Sequence, residues 1–399
     1  MPIHLNPNVS ATAEPPIPEA MSWLAEAGIT PRRPLLNLAQ AVPSYPPAES
    51  LRDAMAIAAQ KVETAFYTPI LGIEPLRELF AETLSRDYEG QVGPEDVAIS
   101  AGGNHAFCMA VMALAGPGDE IIVPQPCYFN HEMWCTMQGI RVVPLPCHAG
   151  PAGLLPDPKE AEALIGPRTR AILLVSPNNP TGTVYSPELV QAFFDLAYRK
   201  QIALMIDETY RDFLPDGPPP HDLFSDPRWQ DGFVHLYSFS KAYSLTGYRV
   251  GALTAGPRIM AAIGKIADTV TICPSHIGQL AALYGLENLA QWKRQRRDEM
   301  INRVAALDQA FDGNPGGYRL RSRGAFFAYL EHPYPDRTAA DVARMLVRDQ
   351  AIFMLPGPIF GIAQERYLRA AFANVDESGI YALSERLKAH SISDGGILK

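Results

Sequence analysis

Short β-rich apolar runs alternate with stretches of helical periodicity through the middle of this chain. Asp96–Ser100 reads as a strand followed by a helix over Asn104–Leu114. Glu120–Pro124 is a second strand, then come a helix over Phe129–Gln138 and a strand at Arg141–Pro144. Arg170–Ser176 is continuously apolar, as expected of a strand buried on both faces of a parallel sheet. Ser186-Pro187-Glu188 starts a helix, with Ser as cap, Pro at the first position and an acid in the first turn. Ile202–Asp207, Phe233–Tyr237 and Arg249–Thr254 are further strands. This alternation predicts a doubly wound α/β domain whose function lies in loops beyond the strand ends. After about residue 256 the pattern turns helical to Phe311, and Lys293–Glu299 reads as a solvated helix face. From Tyr318 onward, strands at Ala325–Leu330 and Tyr367–Phe372 mix with helices at Ala339–Asp349 and Gly379–His390, which predicts a separate, smaller α+β domain.

Composition narrows the class. With 399 residues, 47% hydrophobic and 19% charged, the chain is an ordinary soluble globular protein, too long for one undivided core. The net charge of −9 speaks against a nucleic-acid partner, which requires clustered Lys and Arg. No apolar run approaches a membrane span, so no membrane partner is expected. The first basic residue, Arg32, comes too late for a secretory or transit signal. The odd count of five cysteines suits free thiols in a reducing cytosol, and a cytoplasmic location is expected. Cys127, His131 and Cys135 share one helix face, but with no fourth ligand in sight a metal is not expected. The 37 prolines are spread along the chain, as stiff turns rather than one disordered tract.

The usual glycine loops for nucleotides, G-x-x-x-x-G-K-[ST] and G-x-G-x-x-G, are absent. Polar signatures stand at the strand ends instead: Ser100–His105, Pro126–His131, Ser176–Gly182, Asp207–Tyr210 and Ser238–Arg249. In that order, with Asn179-Pro-Thr-Gly182, Asp207-x-x-Tyr210 and Ser238-x-Ser-Lys241 followed eight residues later by Arg249, the chain resembles the class I/II aminotransferases of the fold type I pyridoxal-phosphate enzymes. The resemblance runs from about Leu36 to the last helix. It implies a large domain with a mostly parallel, doubly wound sheet, here 48–290. It also implies a discontinuous small α+β domain from 1–47 and 291–399.

The resemblance also assigns residues. Lys241 matches the lysine that forms a Schiff base with the cofactor, pyridoxal 5'-phosphate, and later shuttles the substrate proton; burial beside cations would help by lowering its pKa. Asp207 matches the carboxylate on the pyridinium nitrogen, and His131 stands where some members orient that carboxylate. Tyr210 and Asn179 match donors to the ring hydroxyl, and Tyr128 matches the aromatic stacked on the ring. Gly102, Gly103 and Asn104 open a helix suited to the phosphate, with Ser238, Ser240 and Arg249 as its partners. Tyr67 matches a tyrosine that reaches the neighbouring subunit's phosphate, which implies a homodimer with shared active sites. Arg369 matches the clamp on the substrate α-carboxylate, and Asn179 is assigned to the substrate as well as to the cofactor.

Two departures bear on substrate. Ala41 stands where members often carry a glycine whose backbone meets the substrate. Thr271–His276 lacks the second arginine that aspartate-specific members supply in trans. The substrates are an amino acid and a 2-oxo acid, and the amino donor is therefore expected to be neutral or aromatic rather than aspartate. Tyr45, Phe326 and Phe327 are candidate lining aromatics, if they are not simply core. β-Elimination on the same cofactor is the alternative chemistry, since the carbanion-forming residues are shared. A non-catalytic aminotransferase-like module ranks last because Lys241 is present.

Overall fold

A computed structural model describes residues 3–393. Residues 1–2 and 394–399, included in the expected small domain, lie outside the described residues. Among those described, fourteen strands form three sheets. In chain order they are β1 (Leu36–Asn37), β2 (Val97–Ser100), β3 (Glu120–Gln125), β4 (Arg141–Gly150), β5 (Gly153–Pro156), β6 (Thr169–Val175) and β7 (Ala203–Asp207). Then come β8 (Phe233–Ser238), β9 (Gly251–Ala255), β10 (Arg319–Gly324), β11 (Phe327–Glu331), β12 (Ile352–Phe353), β13 (Leu355–Pro356) and β14 (Tyr367–Ala371).

The large sheet has the order β2-β9-β8-β7-β6-β3-β4-β5. Strands β4, β3, β6, β7 and β8 run parallel. Strand β9 is antiparallel to both its neighbours, and β5 returns antiparallel on β4. Parallel neighbours need crossovers, which lay helices on both faces of the sheet. The sequence of β6 records this: Ile172 and Leu174 enter one hydrophobic core, while Ala171 and Leu173 enter the opposite one. The crossover helix Pro187–Lys200 is fixed at its start, where Ser186 Oγ accepts from the Leu189 amide at 3.3 Å, a cap of about 1 kcal/mol. This topology brings the carboxyl ends of β2, β3, β6, β7 and β8 to one edge. Because β9 runs the other way, the residues that precede it reach the same edge.

A third core gathers Ala20, Trp23, Leu36, Leu38 and Ala39 with apolar residues between Met300 and Leu387. It covers the four-stranded antiparallel sheet β10-β11-β14-β13, beside the parallel pair β1-β12. Tyr210 and Phe213 reach into this core from the large sheet's edge. Helix Pro7–Ala11 instead packs on helix Phe129–Met137. Where the two sheets' loops cross, Gly182 (φ +71°) lies against Gly324, and a Cβ on either would run into the other's backbone. Ser322 Oγ donates to the Thr181 carbonyl beside them, at 2.8 Å.

Several elements differ from expectation, each for a local reason. Strand β4 runs on to Gly150 because it pairs with β5, a hairpin the sequence reading omitted. Strand β10, Arg319–Gly324, is also absent from the sequence reading: half of its residues are Arg, with exposed side chains on an edge strand. Ala325 is in the left-handed region (φ +46°), so the next strand begins at Phe327. Arg249 is also left-handed (φ +52°), and β9 begins only at Gly251. No described helix is long and apolar enough to cross a membrane.

Candidate active site

The converging strand ends and the small sheet enclose a cavity of about 290 Å³. Lys241 enters it from the short turn after β8, whose start is held by Ser238 Oγ accepting from the Ser240 amide at 3.3 Å. Its Nζ donates to the Ala41 carbonyl oxygen at 2.6 Å. Burial, with the positive charges of Arg249 and Arg369, pulls the amine down from its ordinary value to about 8.

Asp207 ends β7. Its Oδ1 accepts from the Thr209 amide at 3.0 Å and the Thr209 hydroxyl at 2.7 Å, and its Oδ2 lies 3.4 Å from His131 Nε2. Burial opposes its ionisation, but the hydrogen bonds and charge from His131 and the donors of Thr209 outweigh burial and hold the carboxyl below its usual range. The His131 ring packs 4.3 Å from Phe107 and 5.3 Å from Tyr128, centroid to centroid. It faces Asp207, whereas Cys127 and Cys135 are buried in apolar core; among the described residues no group of three or more His, Cys, Asp or Glu side chains is placed to hold a metal ion. Tyr128 lines the cavity at the start of helix Phe129–Met137, its Oη accepting from Asn130 Nδ2 at 2.7 Å. Tyr210 lines it beside Phe326 and Phe327, and burial pushes its hydroxyl pKa upward.

One corner is built for an anion. Helix Gly103–Leu114 starts there with no side-chain cap, leaving its first amides free. Gly102 has φ +90°, and a Cβ on it would strike the Arg249 guanidinium, so only glycine admits that approach. Gly102 itself does not line the cavity, whereas Gly103, Asn104, Ser238, Ser240 and Arg249 do. Arg249 Nη1 donates to the Thr246 carbonyl at 3.0 Å. Ser240 Oγ is buried with no hydrogen-bond partner, an arrangement that costs about 1–3 kcal/mol unless a ligand completes it.

Arg369, on β14, enters from the small sheet. It is 3% exposed, with Nη1 donating to Asn179 Oδ1 at 3.1 Å, Nη2 to the Ala39 carbonyl, and Nε unpartnered. The Phe327 and Phe360 rings flank it at 5.3 and 4.9 Å. Burial lowers its pKa to about 10, leaving it cationic at neutral pH.

The structure thus brings Lys241, Asp207, Tyr210, Asn179, Tyr128, Gly103, Asn104, Ser238, Ser240, Arg249, Arg369 and Ala41 around one cavity. Tyr67 is elsewhere: it is 79% exposed and does not line the cavity of its own chain. The three aromatics that could either line the pocket or fill the core stand outside the lining. Phe326 and Phe327 are core side chains, and Tyr45 turns to Trp292 and Arg296 in a separate cleft. Sequence reasoning missed Ile17, Gln40, Val42, Phe129, Thr209 and Thr246, all of which line the cavity. Thr209 was findable, since Asp-x-Thr lets a threonine bond the carboxylate two residues back. Ile17 gave no signal, because it comes from a helix near the amino terminus.

A family model described as aminotransferase class I and II matches residues 33–387. The aspartate aminotransferase of Thermotoga maritima is 28% identical over 367 residues, covering 90% of this chain and 93% of that protein. The aspartate/prephenate aminotransferase of Thermus thermophilus is 29% identical over 360 residues, covering 86% of this chain and 88% of that protein. Among solved structures, the Thermus thermophilus aspartate aminotransferase with maleate superposes with a TM-score of 0.86 at 26% identity, covering 98% of this chain and 100% of that one.

Proposed function

The chain belongs to the class I and II aminotransferases, pyridoxal-phosphate-dependent enzymes of fold type I, and we propose that it moves an amino group from a neutral or aromatic amino acid, in preference to aspartate, to a 2-oxo acid. The observation that carries the preference is the composition of the cavity wall. Among the described residues lining it, the cationic side chains are Lys241, Arg249 and Arg369. The first faces the reaction, the second the anion corner, and the third a carboxylate. The rest of the wall includes Ile17, Val42 and Phe129, which favour an apolar side chain.

The residues present fit the cofactor. Ser240 Oγ is an orphaned buried hydroxyl, the amides of Gly103 and Asn104 are uncapped, and Arg249 stands beside them, which together suit a phosphate. Ser238 borders the same corner. When bound, pyridoxal phosphate supplies an electron sink for the bonding pair released at the substrate α-carbon. In this reading Asp207, ionised and fixed by His131 and Thr209, holds a proton on the ring nitrogen. Tyr210 and Asn179 would donate to the cofactor's ring hydroxyl, and Tyr128 would support its ring. Lys241 would hold the cofactor through its amine and, once free, would take the α-proton and return it. With a pKa near 8 it holds an appreciable share of free base at neutral pH, as proton transfer requires. Arg369 grips the α-carboxylate, and Ala41 borders the substrate through the carbonyl that meets Lys241.

The proposal includes the division at 48 and 290, with helix Pro7–Ala11 reaching across to the large domain. It also includes a homodimer with shared sites, supported by the exposure of Tyr67 beside exposed Val62 and Phe66. A second reading follows from the relatives, several of which are aspartate aminotransferases. In it, a partner subunit supplies a cation for the side-chain carboxylate. The test is to mix the holoenzyme with a panel of L-amino acids and follow loss of the lysine-bound cofactor's visible absorbance. Neutral or aromatic donors should discharge it at higher kcat/KM than aspartate, and the reverse order would overturn the preference. Ammonia and pyruvate released from cysteine conjugates without an oxo-acid acceptor would favour the eliminating alternative.

A further inference from the structure

One imidazole beside the anion corner has no part in the reaction. His105 occupies the third position of helix Gly103–Leu114 and turns back on its own loop, where the Ala101 amide donates to Nδ1 at 3.0 Å. A backbone amide only donates, so Nδ1 is bare and the ring proton sits on Nε2. Nε2 faces Thr271 Oγ1 at 3.1 Å, across 166 residues of sequence. The geometry resembles a capping box, in which a third-position Glu or Gln reaches back to an amide before the helix. Arg249 Nη2 lies 3.5 Å from the Ala101 carbonyl oxygen, and Ser100 Oγ donates to the Gly102 carbonyl at 3.0 Å. Both polar groups of Ala101 are therefore held, one by His105 and the other by Arg249, immediately before the left-handed Gly102.

We propose that His105 is a positioning residue for the cofactor phosphate: as a neutral imidazole it fixes the Ala101–Gly103 turn so that the free amides stay aimed into the cavity, and protonation of Nδ1 releases that turn. The proposal rests on the reading of this corner as the phosphate's seat. Nδ1 cannot both accept from Ala101 and carry a proton, so the neutral form is the only one that closes the loop. Burial lowers the ring's pKa below its ordinary value, and no charged side chain contributes to that shift. That holds for helix Pro257–Val270, helix Phe129–Met137 and strands β2, β8 and β9, the elements around this helix. The polar contacts of the ring are the Ala101 amide and Thr271 Oγ1, and the cation that touches the same turn, from the segment before β9, is Arg249.

The test measures cofactor release from diluted holoenzyme between pH 5 and 8, for wild type, His105→Gln and His105→Leu, each loaded with pyridoxal phosphate or with phosphate-free pyridoxal. Glutamine can accept from Ala101 and donate to Thr271 without titrating. It should keep wild-type retention at pH 7.5 and lose the acid-side component of release. Leucine should weaken retention of pyridoxal phosphate roughly tenfold at pH 7.5, a cap-sized effect, and leave pyridoxal unchanged. Wild-type behaviour of His105→Leu, or the full wild-type acid response in His105→Gln, overturns the proposal. Ser240→Ala and Arg249→Gln separate the two readings. If they weaken pyridoxal phosphate relative to pyridoxal while His105→Leu does not, the role of His105 fails alone. If they discriminate no better than wild type, the phosphate seat itself is wrong.

Discussion

Arg369 Nη1 lies 3.1 Å from Asn179 Oδ1, joining β14, an inner strand of the small sheet, to the loop after β6 of the large one. The bond makes the guanidinium a bridge between the two halves of the site, so its loss should be felt in binding before chemistry. Arg369→Ala should raise KM for the amino donor by ~30-fold or more, the effect of about 2–5 kcal/mol for truncating a buried charge partner. Arg369→Lys should recover only part of this, since a point charge cannot form the planar fork. The half-reaction with saturating donor measures it, and an unchanged KM in Arg369→Ala would remove Arg369 from the carboxylate site.

Lys241 is the second case, and its sign is definite. A lysine depressed to about 8 is protonated below that value and is a free amine above it. Recombination of apoenzyme with cofactor should therefore accelerate as pH rises through about 8 and level off beyond. Stability of the apoenzyme should rise over the interval above this, from about 8 toward the ordinary 10.5, because the unfolded chain there binds the extra proton. Lys241→Met should remove both trends and show no lysine-bound visible band. A recombination rate that is flat from pH 7 to 9 would contradict the assignment.

Thr209 supplies two of the donors on Asp207, and only the hydroxyl can be removed by mutation. Thr209→Val should cost about 1.5–3 kcal/mol of support for the carboxylate and move its pKa upward. Stability contributed by Asp207 is present above the unfolded value of 3.8 and is lost as pH falls through the lower folded value. The acid limb of kcat should accordingly shift toward neutral pH in Thr209→Val. An acid limb identical to wild type would show that the hydroxyl is dispensable.

Behind Asp207 lies a buried network that shapes acid stability. Glu208 accepts from Tyr88 Oη and lies 3.0 Å from His235 Nε2 and 3.7 Å from His221 Nε2. Burial disfavours the Glu208 carboxylate, but the imidazoles and Tyr88 outweigh it and hold the group at about 2. Burial holds His221 down at about 4, so the folded state refuses a proton that the unfolded chain takes up below 6.5. Both shifts act in one direction: Tm should fall as pH drops from 6.5 to 4 through His221, and from 4.5 toward 2 through Glu208. His221→Phe should flatten the upper part of that curve and also weaken the lower part, because it removes one of the imidazoles that hold Glu208 down. Differential scanning calorimetry across this range decides it, and equal slopes in wild type and variant would place the proton uptake elsewhere.

The parts of the site that stood out in the sequence were those where chemistry sits at a strand end. Asp207, Lys241 and Asn179 each follow an apolar run, so fold and function point to the same loop. Arg369 needed the family resemblance, because nothing local distinguishes it from other arginines near the carboxyl end. Ile17, Val42 and Phe129 reach the cavity from three separate segments, and their apolar character looks the same whether they line a site or fill a core. Strand β10 escaped because edge strands with charged side chains lack the alternation that marks a half-buried strand. The hydrogen bond from Ala101 to His105 was within reach of helix-capping logic, while the Thr271 contact depends on tertiary structure alone.

The backbone contact of Gly182 with Gly324 has a practical meaning for anyone retuning this enzyme. Each residue occupies the space the other's Cβ would need, so neither can be varied alone without spreading the loop that carries Asn179 away from the small sheet that carries Arg369. Combinatorial libraries should keep this pair fixed. Diversity belongs at Ile17, Val42 and Phe129, which touch the cavity through side chains and can change size while the frame stays closed.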